Sequence, residues 1–142
     1  MAERKGSAEW KGGLKGGGGV VTVGDGVWSG DYSFSSRFEE GDGTNPEELI
    51  GAAHAACFAM ALSAALEKGG NPADSVQATA KVSLRFIDDA PTIAQIDLDV
   101  VGSVPGIDED AFVATAEEAK KACPVSRALV GVNEINLSAR LA

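Results

Sequence analysis

Apolar and polar residues first alternate along this chain and then recur at helical spacing, and that change of period predicts its elements. The first third carries short runs, "SAEWKGG", "GVVTVG" and "VWSGDYSF", separated by glycine-rich turns, and predicts three strands. Four consecutive glycines, Gly16–Gly19, are suggestive of a phosphate-cradling loop, but such loops lead from a strand into a helix. These lead into the β-branched run "VVTV", which predicts a hairpin loop. "RFEEGDG" reads as a polar loop, and a helix starts behind it. Asn45 is a good N-cap, Pro46 suits the first helical position, and Glu48 stands where a capping-box acid belongs. Leu49, Ala53, Cys57, Met60 and Ala64 recur at helical spacing and predict the buried stripe, before "EKGGNP" ends the helix.

Two strands with plain alternation follow. Ala78, Ala80, Val82, Leu84 and Phe86 point one way in the first, and Ile96, Leu98 and Val100 in the second, each a half-buried antiparallel strand. "PGIDEDAFVATAEEAKKA" predicts a second helix with Phe112, Val113, Ala116 and Ala119 inward. Pro124 interrupts it just after Cys123, "PVSRAL" adds one short helical turn, and "EINLSARL" forms a last strand. The order βββ–α–ββ–α–α–β predicts an α+β fold: antiparallel sheet covered by long apolar helices, in a single domain spanning residues 1–142. The two strand groups form either separate sheets or one larger sheet across a dimer, and alanines on the first helix let a second helix approach closely.

Composition narrows the function. The chain has 142 residues, 44% hydrophobic and 23% charged, with a net charge of −9 and no cluster of Lys or Arg. That balance argues against nucleic acid and against anionic membrane surfaces. The charged N-terminus is not a signal peptide, and no run approaches the ~20 apolar residues of a membrane span. The expected location is the cytoplasm, where thiols stay reduced and two cysteines are rarely a permanent staple. Cys57 and Cys123 are far outside CxxC spacing, and the single His54 cannot complete a zinc site with them. They are either buried structural thiols or a pair that cycles between thiol and disulfide.

A reactive cysteine needs a nearby cation or a helix N-terminus. Cys57 sits roughly 15–18 Å from the start of its helix, beyond the reach of the dipole, so activation has to come from a cation elsewhere in the fold. Arg37, Arg85, Arg127 and several lysines are the candidates. His54 precedes Cys57 by one helical turn, and a Cys–His pair is a nucleophile and base in some hydrolases and acyl transferases. The middle of a regular helix, however, has no free backbone N–H for an oxyanion hole. A packed or hydrogen-bonded histidine is the reading these residues favour.

"GTNPEELIGAAHAACF", followed by "CPVSRAL", resembles the OsmC/Ohr family of peroxide-detoxifying proteins. "SSRFEEGDGTNPEELIGAAHAACFAMALS" and "VPGID" are similar to its osmotically inducible OsmC branch, and the resemblance runs from "GSAEWKG" to the final strand. It implies an OsmC-like fold, an intertwined homodimer, and a thiol peroxidase that reduces organic hydroperoxides to alcohols, and hydrogen peroxide more weakly. By matching positions, Cys57 would be the peroxidatic cysteine and Cys123 the resolving one. Arg37 would stabilise the Cys57 thiolate and Glu47 would hold that arginine, while the adjacent Glu48 has its capping role.

No cofactor is implied beyond an external dithiol reductant, lipoyl or thioredoxin-like, and the active sites would lie at the subunit interface. Apolar neighbours such as Phe58 and Met60 would favour organic peroxides. Glu47 and Cys57 are about 15 Å apart along one helix, which leads to the expectation that the Glu47 serving a given Cys57 comes from the other subunit. Two other readings stand beside this one: a Cys57/His54-dependent hydrolase or acyl transferase, and a non-catalytic stress or interaction protein.

Overall fold

The alternating runs of the first third fold into an antiparallel meander, β1 (Gly6–Lys11), β2 (Gly18–Val23) and β3 (Trp28–Tyr32), paired in that order. A computed structural model describes residues 1–142, in two compact units, Met1–Leu49 and Ile50–Ala142. The glycine run behaves as expected, closing the β1–β2 hairpin and continuing into β2. After β3 the chain forms a short helix, α1 (Phe34–Phe38), where the sequence reading expected only a loop. Its start is a capping box built from serines: the Ser36 N–H donates to Ser33 Oγ at 3.1 Å and the Ser33 N–H to Ser36 Oγ at 2.8 Å. Serine in place of the usual glutamate hid that signal.

Ser36 Oγ also donates to the Thr44 carbonyl (2.7 Å), and Asn45 Nδ2 donates to the Ser36 carbonyl (3.0 Å). These bonds tie α1 to the opening of α2 (Pro46–Lys68). The chain turns between them through Gly43 at φ +114°, beside the Asp31 carbonyl, a conformation and a clearance that suit glycine alone. Asn45 caps α2 as expected, with the Glu48 N–H donating to Asn45 Oδ1 at 2.8 Å. The other half of the box is absent: the Glu48 carboxylate accepts from the Thr44 hydroxyl (3.0 Å) instead. Only Ser36 and Glu47 are buried in the first unit, and neither is apolar.

In the second unit a long hairpin, β4 (Ser75–Ile87) and β5 (Ala90–Ser103), pairs antiparallel, and β6 (Glu134–Leu141) joins the free edge of β5 in parallel. The sheet is therefore mixed. A parallel neighbour needs a crossover, which α3 (Glu109–Ala122) and α4 (Pro124–Ala128) provide. Asp108 caps α3, its carboxylate accepting from the Ala111 N–H at 2.8 Å. The core joins Phe58, Leu62 and Leu66 of α2, Leu98 and Val100 of β5, Phe112, Ala116 and Ala119 of α3, and Cys123. Burying each of the larger apolar side chains contributes ~1.5–3 kcal/mol. Val113 is only half-buried. Alternation on β4 holds as far as Val82, but a bulge between Ser83 and Leu84 ends it and leaves Phe86 exposed rather than inward.

The phase of α2 also needs correction. Its buried residues in this unit are Gly51, His54, Phe58, Leu62 and Leu66, whereas Ala53, Met60 and Ala64 of the expected stripe are exposed and Cys57 is half-buried. The helix is apolar on every side, so periodicity carries little information about which face turns inward. By length and composition it is also apolar enough to cross a membrane, contrary to the sequence expectation. Here Phe58, Leu62 and Leu66 make it a core helix. Gly51 sets how near it comes to the sheet: a Cβ there would lie 2.8 Å from the Ala80 carbonyl oxygen.

Candidate active site

Two clusters of the predicted residues form, one in each unit. In the first unit Arg37 stands in the last turn of α1 and Glu47 in the first turn of α2, where the Ser36–Thr44–Asn45 bonds bring those turns together. Arg37 Nη2 donates to Glu47 Oε1 at 2.7 Å, and Nε donates to both carboxylate oxygens at 3.2 Å. Glu47 is 8% exposed, and these bonds pair its buried carboxylate with the guanidinium. The fork is held by one edge, and Nη1 has no partner within the chain. Glu48 takes no part.

Beside Arg37, within the same unit, lies a cavity of about 280 Å³ lined by Trp10, Leu14, Tyr32, Phe34 and Phe38. The sequence reading had looked to Phe58 and Met60 for apolar walls. Phe58 is fully buried in the core of the second unit, and Met60 is 75% exposed.

In the second unit Cys57 on α2 and Cys123 between α3 and α4 place their sulfurs 3.2 Å apart, both as free thiols. Pro124 is the reason Cys123 sits there: it ends α3 and starts α4, leaving Cys123 as the last cap of one helix and the first of the next. Cys123 is wholly buried, whereas Cys57 is partly open to solvent.

Burial pushes the Cys57 thiol up from its ordinary value. The Val125 N–H opposes that rise, and Cys123 adds to it through hydrogen bonding and charge. Burial acts the same way on Cys123, but the Ser126 N–H, the Cys57 thiol, the Ser126 hydroxyl and the Val125 N–H outweigh it and pull that thiol down. Cys123 makes no side-chain cap hydrogen bond of good geometry, so the α4 amides act on its sulfur chiefly as oriented dipoles. The sulfur–sulfur separation suits a proton held on either atom; those amides favour the thiolate at Cys123. For Cys57 to ionise first, a cation has to reach it.

His54 is fully buried, and its Nε2 lies 2.7 Å from Ser126 Oγ; Nδ1 has no partner. Burial holds its pKa below the ordinary value. This is the packed, hydrogen-bonded histidine that the residues favoured, and its one polar bond goes to Ser126 rather than to Cys57. Sequence reading missed Ser126, although its position three residues after Cys123 places it on the first turn of α4. No group of three or more His, Cys, Asp or Glu side chains is placed to hold a metal ion.

The family model for the OsmC-like protein matches residues 39–138, which include Glu47, Cys57 and Cys123; Arg37 lies two residues before the match. The chain belongs to the OsmC-like family. The peroxiredoxin OsmC of Escherichia coli (strain K12) is 48% identical over 127 residues, 89% of this chain and 89% of that protein. An organic hydroperoxide resistance protein of Xanthomonas axonopodis pv. citri (strain 306) is 33% identical over 104 residues, 69% of this chain and 68% of its own. The higher identity to the former puts the chain on the OsmC side of the family. Among solved structures, the organic hydroperoxide resistance protein OsmC of Legionella pneumophila superposes with a TM-score of 0.76 at 26% identity over 99% of each chain. The organic hydroperoxide resistance protein OhrB of Bacillus subtilis does so with 0.73 at 26% identity, over 97% of this chain and 98% of its own.

Proposed function

We infer that this OsmC-like protein is a thiol-dependent peroxidase that reduces organic hydroperoxides to alcohols, and hydrogen peroxide more weakly. The observation that carries the reading is the unequal cysteine pair: Cys57 partly exposed, Cys123 wholly buried, and their sulfurs 3.2 Å apart. The Cys57 thiolate attacks a peroxide oxygen, the O–O bond breaks, and the departing alkoxide takes a proton and leaves as the alcohol. Cys57 is thereby oxidised to a sulfenic acid, which further peroxide would carry to sulfinate. Cys123 attacks the sulfenic sulfur, the S–O bond breaks, and hydroxide leaves with a proton as water. An external dithiol, lipoyl or thioredoxin-like, supplies two electrons and two protons to restore both thiols.

Arg37, held by Glu47, is the cation that Cys57 requires. The free Nη1 would favour the thiolate first and the alkoxide afterwards, and the cavity beside it would take the alkyl group. In this reading residues 1–142 act as one domain in an intertwined homodimer, in the cytoplasm, with Glu47 and Cys57 of one site on different subunits. The lack of any buried apolar residue in the first unit and the exposed apolar face of α2 support the dimer. The length of helix between Glu47 and Cys57, about 15 Å, supports the sharing of sites.

The test is dithiol-dependent consumption of tert-butyl hydroperoxide. Cys57→Ser should abolish it, and Cys123→Ser should leave a sulfenate on Cys57 that a sulfenate-specific probe traps. Undiminished consumption by Cys57→Ser would refute the reading.

A further inference from the structure

His54 and Ser126 are buried polar residues that the peroxidase chemistry leaves unused, and their placement follows a pattern. His54 precedes Cys57 by three residues on α2, and Ser126 follows Cys123 by three on α4. The two segments are joined twice, by the sulfur pair at 3.2 Å and by His54 Nε2 and Ser126 Oγ at 2.7 Å. Each joint is one helical turn from the other, and the second is sealed from water, with His54 0% and Ser126 7% exposed.

The unpartnered atom settles the direction of this bond. A buried N–H without an acceptor is rarer than a bare buried lone pair. His54 Nδ1, which has no partner, therefore carries the lone pair, and Nε2 carries the proton. Nε2–H donates to Ser126 Oγ, which leaves the serine proton free to turn toward Cys123 Sγ, the thiol whose pKa this hydroxyl helps to lower. We propose that the His54–Ser126 bond is a positioning device for the resolving step, holding the start of α4 in register with α2 and turning the Ser126 hydroxyl as a donor to the Cys123 thiolate. The inference rests on the peroxidase reading and concerns only its second half.

The balance of that half is simple. Cys57 S–OH offers an electrophilic sulfur; the Cys123 thiolate attacks it, the S–S bond forms and the S–O bond breaks. The thiol proton released when the Cys123 thiolate formed leaves with the hydroxide as water. Sulfurs 3.2 Å apart must close to the ~2.05 Å of a disulfide, and a fixed register lets them do so without unwinding α4. Ser126 and His54 touch neither peroxide nor alcohol, so they are positioning residues.

The experiment is a single turnover of the reduced full-length chain with one equivalent of tert-butyl hydroperoxide, quenched by acid and resolved by mass into sulfenate, disulfide and sulfinate. Ser126→Ala and His54→Phe should make disulfide formation the slow step, slower by about ten- to a hundredfold, with sulfenate accumulating; a parallel run with excess peroxide should carry that sulfenate to sulfinate. Ser126→Thr, which keeps the hydroxyl, and His54→Gln, whose amide N–H can replace Nε2–H, should restore the disulfide step. If Ser126→Ala closes the disulfide at the wild-type rate, or the conservative variants restore nothing, the proposal is overturned.

A measurement on the unaltered protein guards against misfolded variants. His54 is the sole histidine, so its ¹⁵N signals are unambiguous. Nε2–H with bare Nδ1 is expected, and the opposite tautomer overturns the proposal. Failure of the wild-type chain to consume hydroperoxide would remove the peroxidase reading and this proposal with it. Normal consumption with the wrong tautomer would remove the proposal alone.

Discussion

At the scale of single residues, Arg37 and His54 respond to substitution in distinct ways. Arg37 is held by Glu47 along one edge, and a lysine would keep the charge but lose the fork. Arg37→Lys should lower kcat/KM for tert-butyl hydroperoxide by about a hundredfold, the usual scale for losing an oriented donor to a developing oxyanion. His54 governs a pH effect on stability. Burial lowers its folded-state pKa, so below its unfolded value the unfolded chain binds a proton that the folded chain refuses. Stability is thus fully present above the unfolded pKa, near 6.5, and is lost as pH falls through and below it. Denaturant midpoints at pH 7 and pH 5 should converge in His54→Gln relative to wild type, by at most about 1.4 kcal/mol per pH unit for one proton. Cys57 and Cys123 differ in access rather than in type, Cys57 partly exposed and Cys123 buried, and the order proposed for them in the reaction follows that difference.

At the scale of elements, α2 is the piece on which the rest depends. It begins under a well-formed Asn45 cap and runs along the sheet of the second unit at a distance set by Gly51. Alanine in the interior of a helix is ordinarily better than glycine by up to ~1 kcal/mol. At Gly51 the added methyl meets a backbone carbonyl, which cannot rotate away as a side chain would. Gly51→Ala should therefore lower stability by about 1–3 kcal/mol in urea unfolding, the range for overpacking, despite the gain in propensity. The neutral or stabilising result expected of an open helix would show that α2 stands further from β4. The break at Pro124 has an equally local cause and a larger effect: it turns a helix C-terminus into a sharp corner and delivers Cys123 to Cys57.

At the scale of the molecule, both units carry surface that one chain leaves uncovered. The first unit buries no apolar side chain, although Val20, Val23 and Trp28 are among its strand residues. On α2, Ala53, Ala56, Met60 and Ala64 form an exposed apolar face. A second copy is the occupant proposed here. Met60→Glu should then leave the fold of the chain intact, because Met60 is already 75% exposed, and weaken self-association. A loss of about tenfold, ~1.4 kcal/mol, would be visible by sedimentation equilibrium. A Met60→Glu protein that self-associates as strongly as wild type would remove this face from the dimer.

The sequence alone determined the order and limits of nearly every element, because caps, prolines and alternation are local signals. Asn45, Pro46, Asp108 and Pro124 act on their own few residues wherever the chain goes. It also determined family membership, through a long contiguous motif, and with it the four residues proposed for the site. It missed α1, whose capping box uses an uncommon residue, and it misjudged the inward face of α2, where alanines on every side leave the phase undetermined. Only the tertiary structure decided which cysteine is buried, by which edge Arg37 grips Glu47, the pair the family resemblance implied, and that His54 answers to Ser126. Each of these joins residues distant in sequence, and a pairing of that kind is set by how elements pack, not by the residues within any one of them.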